Sequence, residues 1–221
     1  MWLFSSGITL MDVIMRILAV LIIVFLILPL HECAHGWVAS KLGDPTAKLT
    51  GRLTLNPLVH FDPLGALGIL LFSFGWAKPV PVNASNFKNP RRDMAITAAA
   101  GPISNLLAAV FGGLLANFFA LFNFGAASVW IGTFFSYYIV LNIGIAVFNL
   151  IPIAPLDGFR IAEAFIPEKF LISYYKYYNI ITLSVFLLLF LGVLTIPLVF
   201  LENIIYNFVM WLTSLPFAFF A

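Results

Sequence analysis

The residues best suited to chemistry form one short run, His31-Glu32-Cys33-Ala34-His35. On an α-helix, positions i and i+4 share a face, so His31 and His35 can present two imidazoles to one metal ion. Glu32, about 100° round the helix from His31, can reach a water bound to that ion. This H-E-x-x-H spacing is typical of zinc hydrolases, in which zinc lowers the pKa of water from about 15.7 towards 7 and the Glu takes the proton. The run therefore predicts one zinc ion per chain.

A catalytic zinc ion usually has three protein ligands and one open position. Cys33 is the only cysteine, so the third ligand has to be another histidine or a carboxylate. Asp157 is favoured because prolines break the end of the apolar helix before it, which can deliver the carboxylate into a protein-lined cavity. Its alternative role is to cap the helix that begins at Gly158. The candidates for the third ligand are His60, Asp62, Asp157 and Glu163.

The composition indicates what surrounds these residues. Hydrophobic residues make up 62% of the 221 residues and charged residues only 9%, which excludes a water-soluble surface. The main solvent of the folded chain is therefore the lipid bilayer. A net charge of +2 is too small to suggest a nucleic-acid partner.

The apolar stretches predict an all-α polytopic membrane protein with about five to six transmembrane helices in one membrane-embedded domain, residues 1–221. We expect the first stretch to be a retained membrane helix, because no basic residue precedes Arg16. We expect no appended soluble domain of the PDZ or CBS type. The predicted helices lie at about 8–38, 94–122, 128–151, 178–200 and 203–219, the last being the shortest.

The segment 41–92 between the first two helices is predicted to be irregular. Leu49 to Leu55 favours short strands or a hairpin. An edge of the strand-like region 44–61 is a candidate for holding an extended substrate. Residues 64–76 are apolar but too few to span a bilayer, so they predict a re-entrant or interfacial segment. The sequence therefore predicts a short β-rich or re-entrant element after the first helix.

The basic residues predict the orientation. In this topology every Lys and Arg except Arg16 lies on the side of the membrane where the first helix ends. The positive-inside rule makes that side the cytoplasm. We expect the membrane to be the plasma membrane of a prokaryotic cell. The same topology puts His31, His35 and Asp157 at a similar depth, near the cytoplasmic face.

Three motifs in this order resemble the site-2 protease family of intramembrane zinc metalloproteases, in its compact form. They are His31 to His35, residues 86–93 leading to Gly101-Pro102-Ile103-Ser104-Asn105, and Asn149 to Gly158. The resemblance implies zinc held by His31, His35 and Asp157, with Glu32 as general base. It implies that Asn105 and Asn149 help to bind substrate or polarise the scissile carbonyl. The implied activity is hydrolysis of membrane-anchored protein substrates.

Other functions compete with these interpretations. Asn105 is equally well explained by a hydrogen bond between membrane helices. A metal or ion transporter would need polar groups across the full depth of the membrane, whereas here they gather near one face. A catalytically silent relative would usually have lost Glu32 or a ligand, and both are present. The sequence makes no prediction of oligomeric state.

Overall fold

The structure, a computed structural model, describes residues 9–72 and 77–218. Helices account for most of them, and the described residues contain no strand. In chain order the helices are α1 (Leu10–Leu42, including a π-helical segment at Ile23–Ile27), α2 (Thr46–Leu49), α3 (Pro57–His60), α4 (Pro63–Phe72), α5 (Pro90–Ala120), α6 (Ala126–Asn149), α7 (Asp157–Glu163), α8 (Glu168–Lys176), α9 (Tyr178–Phe190) and α10 (Thr195–Ser214).

Four helices of the described chain are long and apolar enough to cross a membrane: α1, α5, α6 and α10 with the 3₁₀ turn that continues it to Phe217. At 1.5 Å per residue, the 33 residues of α1 are about 50 Å long, well above the roughly 30 Å of a hydrocarbon core. An all-helical fold with four candidate membrane spans is thus confirmed for the described residues, but the predicted count of five to six spans is not.

The predicted span at 178–200 differs most from the structure. Its residues divide between α9 and α10, with a turn at 191–194, whereas the sequence predicted a break between residues 200 and 203. At 13 residues, α9 is about 20 Å long, too short to cross the membrane as a straight helix. The turn lies among apolar residues, so hydropathy alone does not reveal it.

A capping box fixes the start of α1. The Thr9 side chain accepts from the backbone N–H of Asp12, and the Asp12 carboxylate accepts from the backbone N–H of Thr9. One turn further on, buried Arg16 lies over the ring of Tyr137, 4.6 Å from its centroid. This cation–π contact joins the first half of α1 to α6.

Helix α5 is the centre of the bundle. It packs against four other helices: the second half of α1, α6, α7 and α10. The core between these helices is aliphatic and includes Ala19, Ile23, Ile27, Ala108, Ala109, Ile139, Leu141, Ile143 and Val209. The arrangement brings the His31–His35 turn of α1 to one face of α5, beside the start of α7.

The predicted β-rich element is wrong for the described part of residues 41–92, which contains short helices instead. The chain turns at Gly51, whose φ of 69° is left-handed, and the N–H groups of Arg52 and Leu53 both donate to the carbonyl of Ala47. This closed turn prevents residues 49–55 from extending, although their side chains favour strands. The structure therefore has no strand edge here to hold a substrate. Residues 73–76 of the predicted re-entrant segment, and residues 8 and 219 at the outer ends of predicted spans, lie outside the described residues.

Asp44 anchors the loop that follows α1. Its fully buried carboxylate accepts from the backbone and hydroxyl of Thr46, from the backbone of Asn83 at 2.7 Å, and from the amide of Asn86 at 2.6 Å. Burial alone would raise the pKa of Asp44, but these hydrogen bonds outweigh it and lower the pKa below its ordinary value of 3.8. The carboxylate thus links the end of α1 to the segment before α5.

Removal of this carboxylate should loosen the whole segment. We expect Asp44→Ala to lower the free energy of unfolding by roughly 2–3 kcal/mol, because several donors lose a charged acceptor. A lowered pKa means that Asp44 stabilises the fold fully above pH 3.8 and loses that contribution as the pH falls further. Thermal unfolding in detergent between pH 7 and pH 3 measures both effects. Asp62→Ala, which removes a cap from α4, is the control and should cost only about 1 kcal/mol.

Candidate metal centre

The two histidines of the predicted motif lie on one face of α1, in the interior of the bundle. His31 is 4% exposed and His35 8% exposed, and their Nε2 atoms are 3.1 Å apart. Two imidazoles brought this close inside an apolar helix bundle need a partner that binds both. The i, i+4 geometry expected from the sequence is therefore present.

Hydrogen bonds at the other nitrogen of each ring fix the histidine tautomers. Nδ1 of His35 lies 2.8 Å from the carbonyl oxygen of Thr97, and Nδ1 of His31 lies 2.5 Å from Oδ1 of Asn105. Both oxygens can only accept, so both Nδ1 atoms carry the proton. The Nε2 atom of each ring is thus directed into the space between the two rings, as in metal-binding histidines.

Asp157 completes the cluster from the first turn of α7. Its Oδ2 atom is 3.3 Å from Nε2 of His31 and 3.3 Å from Nε2 of His35. Within the described part of the chain, no group donates a hydrogen bond to this buried oxygen. Three atoms that can ligate a metal thus face one another, an arrangement that a cation would stabilise.

The three atoms also have the spacing that zinc requires. Ligands held about 2.0–2.1 Å from a tetrahedral ion lie about 3.3–3.4 Å from one another. The observed separations are 3.1, 3.3 and 3.3 Å. Among the described residues, His31, His35 and Asp157 form the one group of three or more His, Cys, Asp or Glu side chains that could hold a metal ion. Two imidazoles and one carboxylate are a donor set typical of catalytic zinc.

Gly101 of α5 forms the floor beneath the two imidazoles. A Cβ atom there would lie 2.3 Å from Nε2 of His35 and 2.6 Å from Cε1 of His31, well inside van der Waals contact. The absence of a side chain at this position lets α5 approach the rings directly. The glycine of the Gly101–Asn105 motif therefore has a direct role in the geometry of the site.

The smallest substitution at this position should disrupt the site. We expect Gly101→Ala to displace one imidazole and to weaken zinc binding by at least about tenfold, as happens when a ligand loses its orientation. Competition with a chromophoric chelator measures this affinity. Gly132→Ala in α6 is the matched control, since a Cβ there meets nothing within 4 Å. Both changes favour helix by about 1 kcal/mol, so equal zinc affinities would contradict the assigned contact.

Glu32 lies next to the histidines on α1 and contacts the irregular segment before α5. Its Oε2 atom accepts a hydrogen bond of 2.8 Å from the backbone N–H of Val80. The segment at residues 77–83 thus fixes one oxygen of Glu32.

The structure does not bring the other candidate ligands to the cluster. His60 is buried and its Nε2 donates to the carbonyl of Thr54, while Asp62 caps the start of α4. Glu163 accepts from Arg160 and from the hydroxyl of Tyr175. These three residues remain outside the group of three ligands. Asn149, predicted to contact substrate, is half-buried, and its amide donates to the carbonyl of Ile145 one turn earlier in α6.

Some residues that support the cluster were not predicted from the sequence. Asn105 was expected either to bind substrate or to form a hydrogen bond between membrane helices; it is fully buried, and it contacts the candidate ligand His31 as well as Asn142 of α6. Asn142 and Thr97 belong to none of the predicted roles. For Asn142 the available signal was the cost of an amide in an apolar helix. For Thr97 there was none, because its backbone makes the contact.

Proteins that are similar to this chain bear the names of zinc metalloproteases. The family described as Peptidase family M50 matches residues 115–192, which include Asn149 and Asp157 but not the histidines of α1. YwhC of Bacillus subtilis, assigned as a zinc metalloprotease, is 47% identical over 141 residues, covering 62% of this chain and 64% of YwhC. Rip2 of Mycolicibacterium smegmatis, with the same assignment, is 34% identical over 139 residues, covering 61% of this chain and 52% of Rip2.

The match spans less than two thirds of the length of each of these curated relatives. No solved structure matches the chain significantly. The resemblance first seen in the motifs is nevertheless carried by an independent family match and by relatives that share a third to a half of the aligned residues. The chain is therefore similar to peptidase family M50, the site-2 protease family, over residues 115–192.

Proposed function

We propose that this chain is an intramembrane zinc metalloprotease that hydrolyses peptide bonds in or near transmembrane segments of membrane-anchored proteins. The observation that carries the proposal is the convergence of His31, His35 and Asp157 to within 3.3 Å inside a bundle of membrane-spanning helices. The names of the relatives support the metal and the reaction class. When bound, zinc supplies Lewis acidity that polarises a carbonyl and lowers the pKa of water towards 7.

Glu32 is the general base in this proposal. Its Oε2 atom is held by the N–H of Val80, so Oε1 is the oxygen that takes a proton from the attacking water. The water oxygen bonds to the carbonyl carbon, and the bond from that carbon to the amide nitrogen breaks. Oε1 then returns its proton to the departing nitrogen, which leaves Glu32 ready for another cycle.

Asn149 is proposed to contact the substrate. It lies at the end of α6, just before the broken segment that leads to Asp157, and its side chain is half-buried rather than enclosed. Among the residues that the structure describes, its amide makes one hydrogen bond, to the carbonyl of Ile145. The other N–H and the oxygen are available to hydrogen-bond an extended peptide or a developing oxyanion.

The substrate is proposed to approach on the cytoplasmic side. Every Lys and Arg except Arg16 lies on the side where α1 ends, which is the side of the cluster, and the positive-inside rule makes this side cytoplasmic. The relatives reported above are bacterial, which fits a multi-pass protein of a bacterial membrane. A substrate helix has to unwind there, because a regular helix encloses its own peptide groups.

A reconstituted assay tests the function. The purified chain is placed in liposomes with zinc and one of two single-span peptides, identical except that one carries Asn-Gly near its cytoplasmic end and the other Leu-Leu. We expect mass spectrometry to find cleavage near the Asn-Gly site, faster than in the Leu-Leu peptide. A chelator should stop cleavage and added zinc should restore it.

Each other result contradicts a stated part of the proposal. Cleavage that a chelator does not affect would exclude the metal mechanism. Equal rates for the two peptides would exclude the need for unwinding. Zinc passage into the liposomes without cleavage of either peptide would identify a transporter instead.

A further inference from the structure

Asn142 is a fully buried amide in the middle of α6, among the buried aliphatic side chains of Ile139, Leu141, Ile143 and Ile145. An amide transferred into such surroundings without hydrogen bonds costs several kcal/mol. Both polar ends of its side chain are bonded within the bundle. The directions of these two bonds determine what Asn142 does.

The amide group of Asn142 is oriented by a backbone carbonyl. Its Nδ2 donates to the carbonyl oxygen of Tyr138, one turn earlier in α6, at 2.9 Å. A carbonyl can only accept, so the NH₂ end of Asn142 has to point to Tyr138 and the Oδ1 end to α5. There Oδ1 accepts from Nδ2 of Asn105 at 3.3 Å.

The same constraint passes to the next side chain. Since the NH₂ end of Asn105 faces Asn142, its Oδ1 end faces His31, 2.5 Å from Nδ1. His31 must then carry its proton on Nδ1, which leaves the Nε2 lone pair directed at the cluster. If the Asn105 amide turned over, its N–H would favour the tautomer with a proton on Nε2, and that proton would block metal binding.

We infer that Asn142 is a positioning residue for the metal centre. Together with Asn105 it forms a chain of amides from the carbonyl of Tyr138 to His31, and this chain holds His31 in the tautomer that binds metal. His35 needs no such chain, because it donates directly to the carbonyl of Thr97. The inference rests on the proposed metal site, but it concerns a residue outside the motifs that define that site.

Two substitutions of similar size separate the role from simple packing. Asn142→Leu removes both hydrogen bonds, so Asn105 can turn over. Asn142→Asp keeps an oxygen for Asn105 in either protonation state, and when protonated it still donates to Tyr138. We expect zinc affinity, measured by chelator competition on the purified protein, to fall about 10–100-fold for the leucine variant and to stay within about threefold for the aspartate variant.

A second readout does not depend on metal. The chain has three histidines, so ¹⁵N-histidine labelling gives a spectrum simple enough to assign the protonated ring nitrogen of each. In the metal-free, unsubstituted protein we expect His31 to carry its proton on Nδ1. In the leucine variant His31 should populate both tautomers, and in the aspartate variant it should again carry its proton on Nδ1. Should the leucine variant not fold, Asn142→Val supplies the same comparison.

Asn117→Leu is the structural control, because that amide joins α5 to Thr213 of α10 away from the site. It should lower thermal stability without changing zinc affinity or the His31 tautomer. An unchanged tautomer and unchanged zinc affinity in the Asn142→Leu variant would overturn the inference. An equal loss of zinc affinity in the leucine and aspartate variants would also overturn the inference. Failure of the unsubstituted protein to bind zinc would overturn the proposed function itself.

Discussion

An Asp157→Ala variant is expected to lose its zinc and all hydrolysis of membrane substrates. The substitution removes the Oδ2 atom that lies 3.3 Å from both Nε2 atoms, so two imidazoles remain to hold the ion. Loss of a residue that only orients a ligand weakens metal binding about 10–100-fold, and loss of the ligand itself should exceed that. Metal analysis after dialysis against micromolar zinc measures the effect, with about one zinc per chain expected before substitution and far less after it.

The control for this variant has to account for the position of Asp157 at the start of α7. Glu163→Ala changes a carboxylate in the same short helix, where it bonds Arg160 and Tyr175 but not the cluster. This variant should keep its zinc and its activity. If Asp157→Ala retained one zinc per chain, the third ligand would have to be another residue.

The second large effect is expected for Glu32→Gln, which should keep zinc and lose activity at least 100-fold. The Gln carbonyl oxygen can still accept from the N–H of Val80, so the local structure should survive. A neutral amide cannot take a proton from water, however, and the bond-breaking step then lacks its base. Cleavage of the Asn-Gly peptide by equal amounts of zinc-loaded protein measures the loss.

Two accompanying measurements make this result specific. Zinc content should be equal in the two proteins, which separates loss of the base from loss of the metal. Glu168→Gln, an exposed site with a distant contact to Arg91, should leave the rate unchanged. Activity retained by Glu32→Gln would remove Glu32 from the mechanism and direct attention to a different proton acceptor.

Local patterns predicted the parts of the site that depend on one helix. The i, i+4 spacing of His31 and His35 is a property of any α-helix, so it could be read from five residues. The charge distribution then placed Asp157 at the same depth, although it is more than a hundred residues away in sequence. The structure brings these three residues together, whereas their proposed roles follow from chemistry and from the family.

Predictions that depended on local propensity alone were less accurate. Residues 49–55 have strand-favouring side chains, but the left-handed turn at Gly51 and the short helices around it are set by packing against α1. The turn between α9 and α10 was misplaced by several residues, because apolar side chains continue through it. Hydropathy therefore reveals neither the turn at Gly51 nor the turn between α9 and α10.

The contact between Asn105 and Asn142 could not be predicted from either helix separately. The sequence shows at each position only an amide that needs a hydrogen-bond partner. Many alignments of α5 against α6 would supply such a partner. The register of the two helices decides which pair meets, and that register is set by the interlocking of the aliphatic core. Such supporting contacts become visible only when the helices are assembled.

The close approach of α5 to the histidines at Gly101 also has a consequence for stability. No side chain separates the backbone of α5 from the two rings at Gly101. An ion bound by His31, His35 and Asp157 would therefore link α1 to the start of α7 directly beside α5. Because the unfolded chain cannot offer these atoms together, binding energy is added to the stability of the native bundle, about 2.7 kcal/mol at a free zinc concentration one hundred times the dissociation constant. The free energy of unfolding would then rise with the concentration of free zinc.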